Sequence, residues 1–270
     1  GEARLAVLCP LLAALTLIAI GWTQDVLAWM PLRFLLGVFI NPLYVVSETW
    51  LVSITPAASR GRILGLYSSI VSAGFALGPL SLWLVGTQGW APFAIGVAAF
   101  LACGLIVLAV VPRLPEMPRE GEETSVGGFF MIAPLLLFAV FTAAAFEQTV
   151  LSLFAVYGAA VQGNEQRTAA LIGCFVAGNA VLQIVLGRVA ERLGSGRTLT
   201  FCALASLAGC MLLPAAFDEW FIWPLTFAWG GVSFGIYTLS LIQLGERFSG
   251  PALIAGNAAF AVVWGIGGMT

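Results

Sequence analysis

The sequence contains no histidine and no lysine; all eleven of its basic residues are arginine. The first absence removes imidazole as a metal ligand and as a catalytic base, and with it the HExxH helix of the zinc proteases. Five cysteines are present, Cys9, Cys103, Cys174, Cys202 and Cys210. Each lies inside an apolar run and none forms a CxxC pair, so they read as small core residues rather than metal or redox groups. Charge is scarce as well, at 9% of residues with a net charge of -2. No metal, cofactor or nucleic-acid partner is expected, and without a nucleophile and base at catalytic spacing an intramembrane enzyme is disfavoured.

What is there is apolar. Of 270 residues 60% are hydrophobic, and the mean hydropathy is +1.02, which no water-soluble domain of this length could carry on its surface. The expected solvent is lipid. Crossing about 30 Å of hydrocarbon takes roughly 20 apolar residues per helix, and such stretches recur at 5–23, 28–53, 62–87, 91–111, 129–159, 168–190, 197–216, 220–245 and 252–270. Nine spans are expected, which excludes a single anchor or signal peptide and predicts an all-α polytopic membrane bundle. The one long polar connection, within 112–128, carries Arg113, Glu116, Arg119, Glu120, Glu122 and Glu123 with three prolines. It reads as a linker joining a first half, 1–111, to a second, 129–270. The chain opens on Gly1-Glu2-Ala3-Arg4 rather than on methionine, and is read as a piece of a longer protein.

Arginine placement predicts the orientation, because cytoplasmic loops retain positive charge during insertion. Alternate loops hold Arg4, then Arg60 and Arg62, then Arg113 and Arg119, then Arg188, Arg192 and Arg197, then Arg247; the opposite loops hold only Arg167, with Asp25, Glu165, Asp218 and Glu219. Residue 1 and the linker are therefore expected in the cytoplasm. Trp22, Trp29, Trp90, Trp220 and Trp223 fall at the predicted outer ends, the headgroup level that indoles favour.

The sequence repeats itself at an offset of 193: Arg4/Arg197, Cys9/Cys202, Asp25/Asp218, Pro31/Pro224, Phe34/Phe227, Gly37/Gly230, Tyr44/Tyr237 and Ser47/Ser240 coincide without a gap. At an offset of 191 Ile63/Ile254, Gly65/Gly256 and Gly74/Gly265 continue it. Leu and Ala matches arise by chance in such sequence, so the weight falls on the Asp, Pro, Tyr, Arg and Gly pairs. Six spans separate the copies, which makes the repeat parallel.

Two further patterns accompany it. The loop Gly187-Arg188-Val189-Ala190-Glu191-Arg192-Leu193-Gly194-Ser195-Gly196-Arg197 needs glycine for a tight turn and an acid to cap a helix or pair with arginine. Gly65, Gly74, Gly78 and Pro79 follow G-x8-G-x3-G-P, a spacing that lets a neighbouring helix approach and bends the chain at proline. Plain glycine-mediated packing explains the second pattern nearly as well as any functional meaning.

With two parallel halves in hand, the chain resembles the major facilitator superfamily of transporters. The 187–197 loop is similar to that family's G-x-x-x-D-R-x-G-R-R signature, with Glu191 for Asp and one residue more. The glycine-proline pattern resembles a fifth-helix signature associated with antiporters, with Leu82 where the family has another glycine. Arg33-x3-Gly37 resembles a fourth-helix motif in which a buried basic residue is implicated in proton coupling. Ser47-Glu48, Arg60-Gly61-Arg62 and the same loop also resemble the YcaD-like bacterial subgroup. The resemblance implies a pseudo-twofold bundle beginning at the third helix and ending in the eleventh.

The residues themselves nominate a polar seam. Arg33, Gly37, Asn41, Tyr44 and Glu48 recur at helical spacing on one narrow face of the second span. Snorkelling is the alternative, and it fits Arg33 near the outer end and Glu48 near the inner end better than it would a residue at mid-membrane. Tyr237 continues the seam in the second copy, where Tyr44 and Tyr237 are expected to face each other across the pseudo-twofold axis. Asn179 and Gln183 share a face of the sixth span. Glu147 and Gln148 lie well inside the fifth, and Glu147 is expected to be the most buried carboxylate, acting as a proton carrier or as a partner for an arginine such as Arg33.

The resemblance implies a monomeric secondary transporter of the bacterial inner membrane, moving a small molecule by alternating access, with proton-coupled efflux preferred. A sugar or metabolite symporter or uniporter is the alternative, and a non-transporting receptor or scaffold a weaker one.

Overall fold

The computed structural model describes residues 2–23, 25–85, 89–111, 125–162 and 165–269, and among them every regular element is a helix. In chain order these are α1 (Glu2–Thr23), α2 (Val26–Ile54), a 3-10 turn (Ala57–Ser59), α3 (Arg60–Val85), α4 (Ala91–Val110), α5 (Val126–Ile132), α6 (Pro134–Gln162), α7 (Glu165–Leu193), α8 (Ser195–Ala216), α9 (Ile222–Arg247) and α10 (Gly250–Gly267). Eight of them are long and apolar enough to cross a membrane. The remaining expected span, 62–87, coincides with α3, whose 26 residues reach about 39 Å at 1.5 Å per residue. The repeat is visible in the elements: α1 begins and ends 193 residues before α8, and α2 ends 193 residues before α9.

The expected span 129–159 is two helices, not one. Ser125 caps α5 by accepting a hydrogen bond from the Gly128 amide at 3.0 Å, so helix begins inside what the sequence assigned to the linker. At Ala133 the backbone leaves the helical region, with φ -135° and ψ 55°. Pro134 is the cause, since its ring disfavours helical geometry in the residue before it and suits the first position of the helix after it. The rest of the expected linker, 112–124, lies outside the described residues.

The chain divides into two compact units, one of residues 1–50 and 76–119, the other of 51–75 and 120–270. In the first, α1 packs along α4. A Cβ on Gly21 would stand 3.0 Å from the Phe93 ring, and Trp22 meets Trp90 edge to face at 6.4 Å. α2 is little covered along this unit until Glu48 and Thr49, which are buried; Val52 and Thr55, which follow in the second unit, are buried too.

The second unit holds most of the buried core. Lipid is as apolar as leucine, so helices in a membrane are held by close packing and polar contacts rather than by exclusion of water, and small residues therefore sit where backbones meet. α7 and α9 cross through a reciprocal pair: a Cβ on Gly178 would collide with the Phe227 carbonyl, and one on Gly230 with the Phe175 carbonyl. Above the crossing, Trp229 packs against Phe146, Phe154 and Phe175 at ring separations of 5.6, 6.4 and 5.1 Å. Its indole N–H donates to the Ser206 carbonyl at 3.0 Å, which ties α9 to α8. Gly194, at φ +90°, makes the one-residue turn between α7 and α8, a backbone conformation that only glycine adopts without strain.

Candidate functional site

Residues 51–75 join the second unit through α3, and the contact begins with two glycines. A Cβ on Gly61 would collide with the Gly187 carbonyl oxygen and one on Gly187 with the Gly61 carbonyl oxygen; a Cβ on Gly65 would strike the Gln183 carbonyl. Ascending positions on α3 thus meet descending positions on α7, backbone against backbone. The end of this contact is fastened by polar groups. The Glu191 carboxylate accepts a hydrogen bond from the Arg62 amide at 2.7 Å, and so caps one of the amides that the first turn of α3 leaves without a helical partner. The Arg60 guanidinium donates to the Gly245 carbonyl at 2.6 Å and to the Thr55 carbonyl at 3.4 Å. Since Gly245 lies in the last turn of α9, this is a cation at the negative end of a helix. Farther along, Thr238 donates to Ser68 at 2.8 Å.

The glycine pattern of α3 is therefore split in its use. Gly65 carries a close approach, whereas a Cβ on Gly74 would meet nothing within 4 Å among the described residues. The backbone is helical through Gly78 and Pro79, whose surroundings lie outside the described residues. At the C-terminal end of α7, Gly187, Glu191 and Gly194 belong to the contact and its turn, while Arg192 and, on α8, Arg197 are exposed.

The polar residues nominated from the sequence fall into separate settings. On α2, Arg33, Gly37, Asn41 and Tyr44 are exposed, and the Arg33 guanidinium lies over the Trp29 ring, 5.7 Å from its centre. Glu48, which snorkelling would have left in water, is 4% exposed. It corrects the expectation that Glu147 would be the most buried carboxylate, for Glu147 is only half-buried on α6. The reason is the face of α2: Glu48, Val52 and Thr55, four and three residues apart, all turn inward where the helix is finally covered. Glu147 has no hydrogen bond or ion pair among the described residues. Its neighbour Gln148 lies against α10, where a Cβ on Gly268 would sit 3.4 Å from its side chain.

Asn179 and Gln183 are buried and bonded to each other. Gln183 Nε2 donates to Asn179 Oδ1 at 2.9 Å and to the Gly231 carbonyl at 3.2 Å. That carbonyl is an acceptor only, which fixes the orientation of the amide. The pair braces the α7–α9 crossing, and Gln183 Oε1 is left buried without a hydrogen bond among the described residues. Tyr237 is half-buried against Trp264 of α10, rings 4.8 Å apart and nearly perpendicular. Tyr44 and Tyr237 belong to different units.

One signature was missed in the sequence. Gly231-Val232-Ser233-Phe234-Gly235 spells the G-x-S-x-G of a hydrolase elbow, which requires a sharp strand-to-helix turn. Here it lies within α9, and Ser233 is bonded to Ser206 at 3.1 Å in the buried contact with α8. It is a packing element.

Relatives place this arrangement. The chain is 26% identical over 259 residues to the uncharacterized MFS-type transporter YfkF of Bacillus subtilis (strain 168), which covers 94% of this chain and 66% of that protein. It is 23% identical over 246 residues to the MFS-type transporter YcaD of Escherichia fergusonii, covering 90% and 63%. The chain thus spans about two thirds of the length of these relatives. Among solved structures, the Escherichia coli fucose:proton symporter FucP superposes with a TM-score of 0.76 at 15% identity, over 99% of this chain and 75% of that one. FucP in its outward conformation gives 0.74. These likenesses show the fold, and the Major Facilitator Superfamily model matches residues 1–270; the chain belongs to the Major Facilitator Superfamily.

Proposed function

We propose that the protein moves a small molecule across the bacterial inner membrane by alternating access, as a monomer and by proton-coupled efflux. The observation that carries the reading is the α3 contact. Alternating access needs a face that closes and reopens without untangling side chains, held shut by bonds that water can replace. Backbones meeting at Gly61, Gly65 and Gly187 give such a face. The ties from Arg60 and Glu191 lie at its end, where solvent can compete for them.

Coupling to protons rests on Glu147, a carboxyl inside the span formed by α6, with no cation bonded to it among the described residues. Intramembrane carboxylates in such settings mark ion pathways. The exposed face of α2, with Asn41 and Tyr44, offers hydrogen bonds and an aromatic surface for an uncharged or amphipathic substrate. FucP is a fucose:proton symporter, and this motivates a second reading, uptake of a sugar or metabolite on the same fold.

The test is a thermal-shift ligand screen on the full-length protein, followed by transport of the compounds it finds in proteoliposomes with and without an imposed pH gradient. Efflux coupling requires uptake into vesicles that are acidic inside, and requires Glu147→Gln to bind the compound yet lose the response to the gradient. Transport that ignores the gradient rejects coupling, and the reverse gradient dependence selects the symport reading.

A further inference from the structure

Hydrogen bonds are unevenly made along the α3 contact. Gly61, Gly65 and Ser69 recur every four residues on one stripe of α3, and the first two abut the backbone of α7. Ser69 is 8% exposed, and Gln183, whose carbonyl Gly65 approaches, is wholly buried. Neither the Ser69 hydroxyl oxygen nor Gln183 Oε1 has a hydrogen-bond partner among the described residues. Arg60 Nε is a third such atom, although the same guanidinium donates through its other two nitrogens to the Gly245 and Thr55 carbonyls. All three atoms are already shut off from solvent.

Other polar groups close by are paired. On α3 itself, the Ser72 hydroxyl donates to the Ser68 carbonyl at 2.7 Å, and the Ser68 hydroxyl oxygen accepts from Thr238 of α9 at 2.8 Å. Between α7 and α9, Gln183 Nε2 donates to both Asn179 and the Gly231 carbonyl, and between α8 and α9, Ser206 meets Ser233. Buried polar groups in native proteins are nearly always bonded, because one left without a partner forfeits its hydration and receives nothing in return. Three such atoms on residues of a single contact therefore need a cause. A contact that has to reopen supplies one, since separation returns each atom to water.

We infer that the α3 contact is a loaded latch: closing it strips water from Ser69 Oγ, Gln183 Oε1 and Arg60 Nε without replacing the lost bonds, and rehydration of these atoms drives its release. The inference rests on the proposed alternating access through this contact and is independent of substrate and of proton coupling. The bonds from Thr238, Arg60 and the Arg62 amide hold the latch shut; the three unbonded atoms oppose them and keep the closed state from becoming permanent.

The experiment follows hydrogen exchange in the full-length protein by mass spectrometry. It is read at the Arg62 amide, whose bond to Glu191 spans the contact, and at the amides of α8 as a measure of general stability. Where reclosing is faster than exchange, the rate reports the open fraction. Three serine-to-alanine variants on one helix share the same change in propensity and differ in what the lost hydroxyl was doing. Ser69→Ala removes an unbonded hydroxyl and should slow exchange at Arg62 by about tenfold. Ser68→Ala takes the acceptor from Thr238 and should speed it severalfold. Ser72→Ala removes a bond internal to α3, present whether the contact is open or shut, and should leave the rate unchanged. Exchange in α8 should be the same in all four proteins, and a change there equal to that at Arg62 overturns the latch as a general effect on stability. If the wild-type contact opens but Ser69→Ala exchanges as Ser72→Ala does, or faster, the latch is overturned while alternating access stands. If the Arg62 amide of every protein exchanges no faster than the core of α9, the contact does not open and both readings fail.

Discussion

Replacing Gly187 by alanine tests the α3 contact with a single methyl group. In the present packing that methyl would overlap the Gly61 carbonyl oxygen, a backbone atom that cannot swing aside as a side-chain tip can. α3 must therefore retreat by about 1 Å, and overpacking of this kind costs about 1–3 kcal/mol. Glu191 lies one turn farther along α7, and its 2.7 Å bond to the Arg62 amide would stretch with the retreat; losing a bond to a charged group adds about 1–2 kcal/mol. A total of about 2–5 kcal/mol corresponds to a fall of roughly 4–20 °C in the unfolding midpoint for a chain of this size, readable from intrinsic tryptophan fluorescence during a thermal ramp in detergent. Gly74→Ala is the matched control on the same helix. Nothing among the described residues lies within 4 Å of the added methyl, and alanine is favoured over glycine inside a helix by about 0.5–1 kcal/mol, so its midpoint should hold or rise. The reasoning fails if Gly187→Ala melts with wild type, or if Gly74→Ala falls as far as Gly187→Ala does.

Trp229→Ala should be among the most damaging single changes, at about 3–5 kcal/mol, because three phenylalanine rings and the α8 tie lose their partner together. Trp229→Phe should cost less, with about 1 kcal/mol assigned to the lost N–H donor, and denaturant titration in micelles distinguishes the two. Gly194→Ala places a side chain at φ +90° and should lower the midpoint by about 1–3 kcal/mol equivalents of strain; a neutral result would mean that the α7–α8 turn adopts another path. Glu191→Ala removes the cap from α3 and should cost about 1–2 kcal/mol, an effect that should vanish when it is combined with Gly187→Ala if both act through the same contact.

The helices were legible because lipid simplifies the code: twenty apolar residues between polar breaks have few alternatives, and the 193-residue repeat aligns α1 with α8 at both ends. The break at Ala133 was also written locally, in Pro134, and was overlooked because the apolar run continues through it. Burial was a different matter. Periodicity identified the face shared by Arg33, Asn41, Tyr44 and Glu48, yet the structure exposes the first three and buries the fourth, since what covers a helix changes along its length and a helical wheel averages that away. Gln183 shows the same limit from the other side. Its polarity in an apolar span pointed to a lining residue; its Nε2 is engaged by Asn179 and the Gly231 carbonyl, the second a backbone atom on another helix that no side-chain pattern reveals, while its Oε1 is buried without a partner among the described residues. Gly61 entered the sequence reading only as the middle of Arg60-Gly61-Arg62 and not as a packing glycine, although a Cβ on it would collide with the Gly187 carbonyl oxygen. In a membrane bundle the close contacts are made by residues without side chains, so the positions that decide which helices touch are those where sequence carries the least information. A contact pair such as Gly61 and Gly187 becomes identifiable only when both helices are placed.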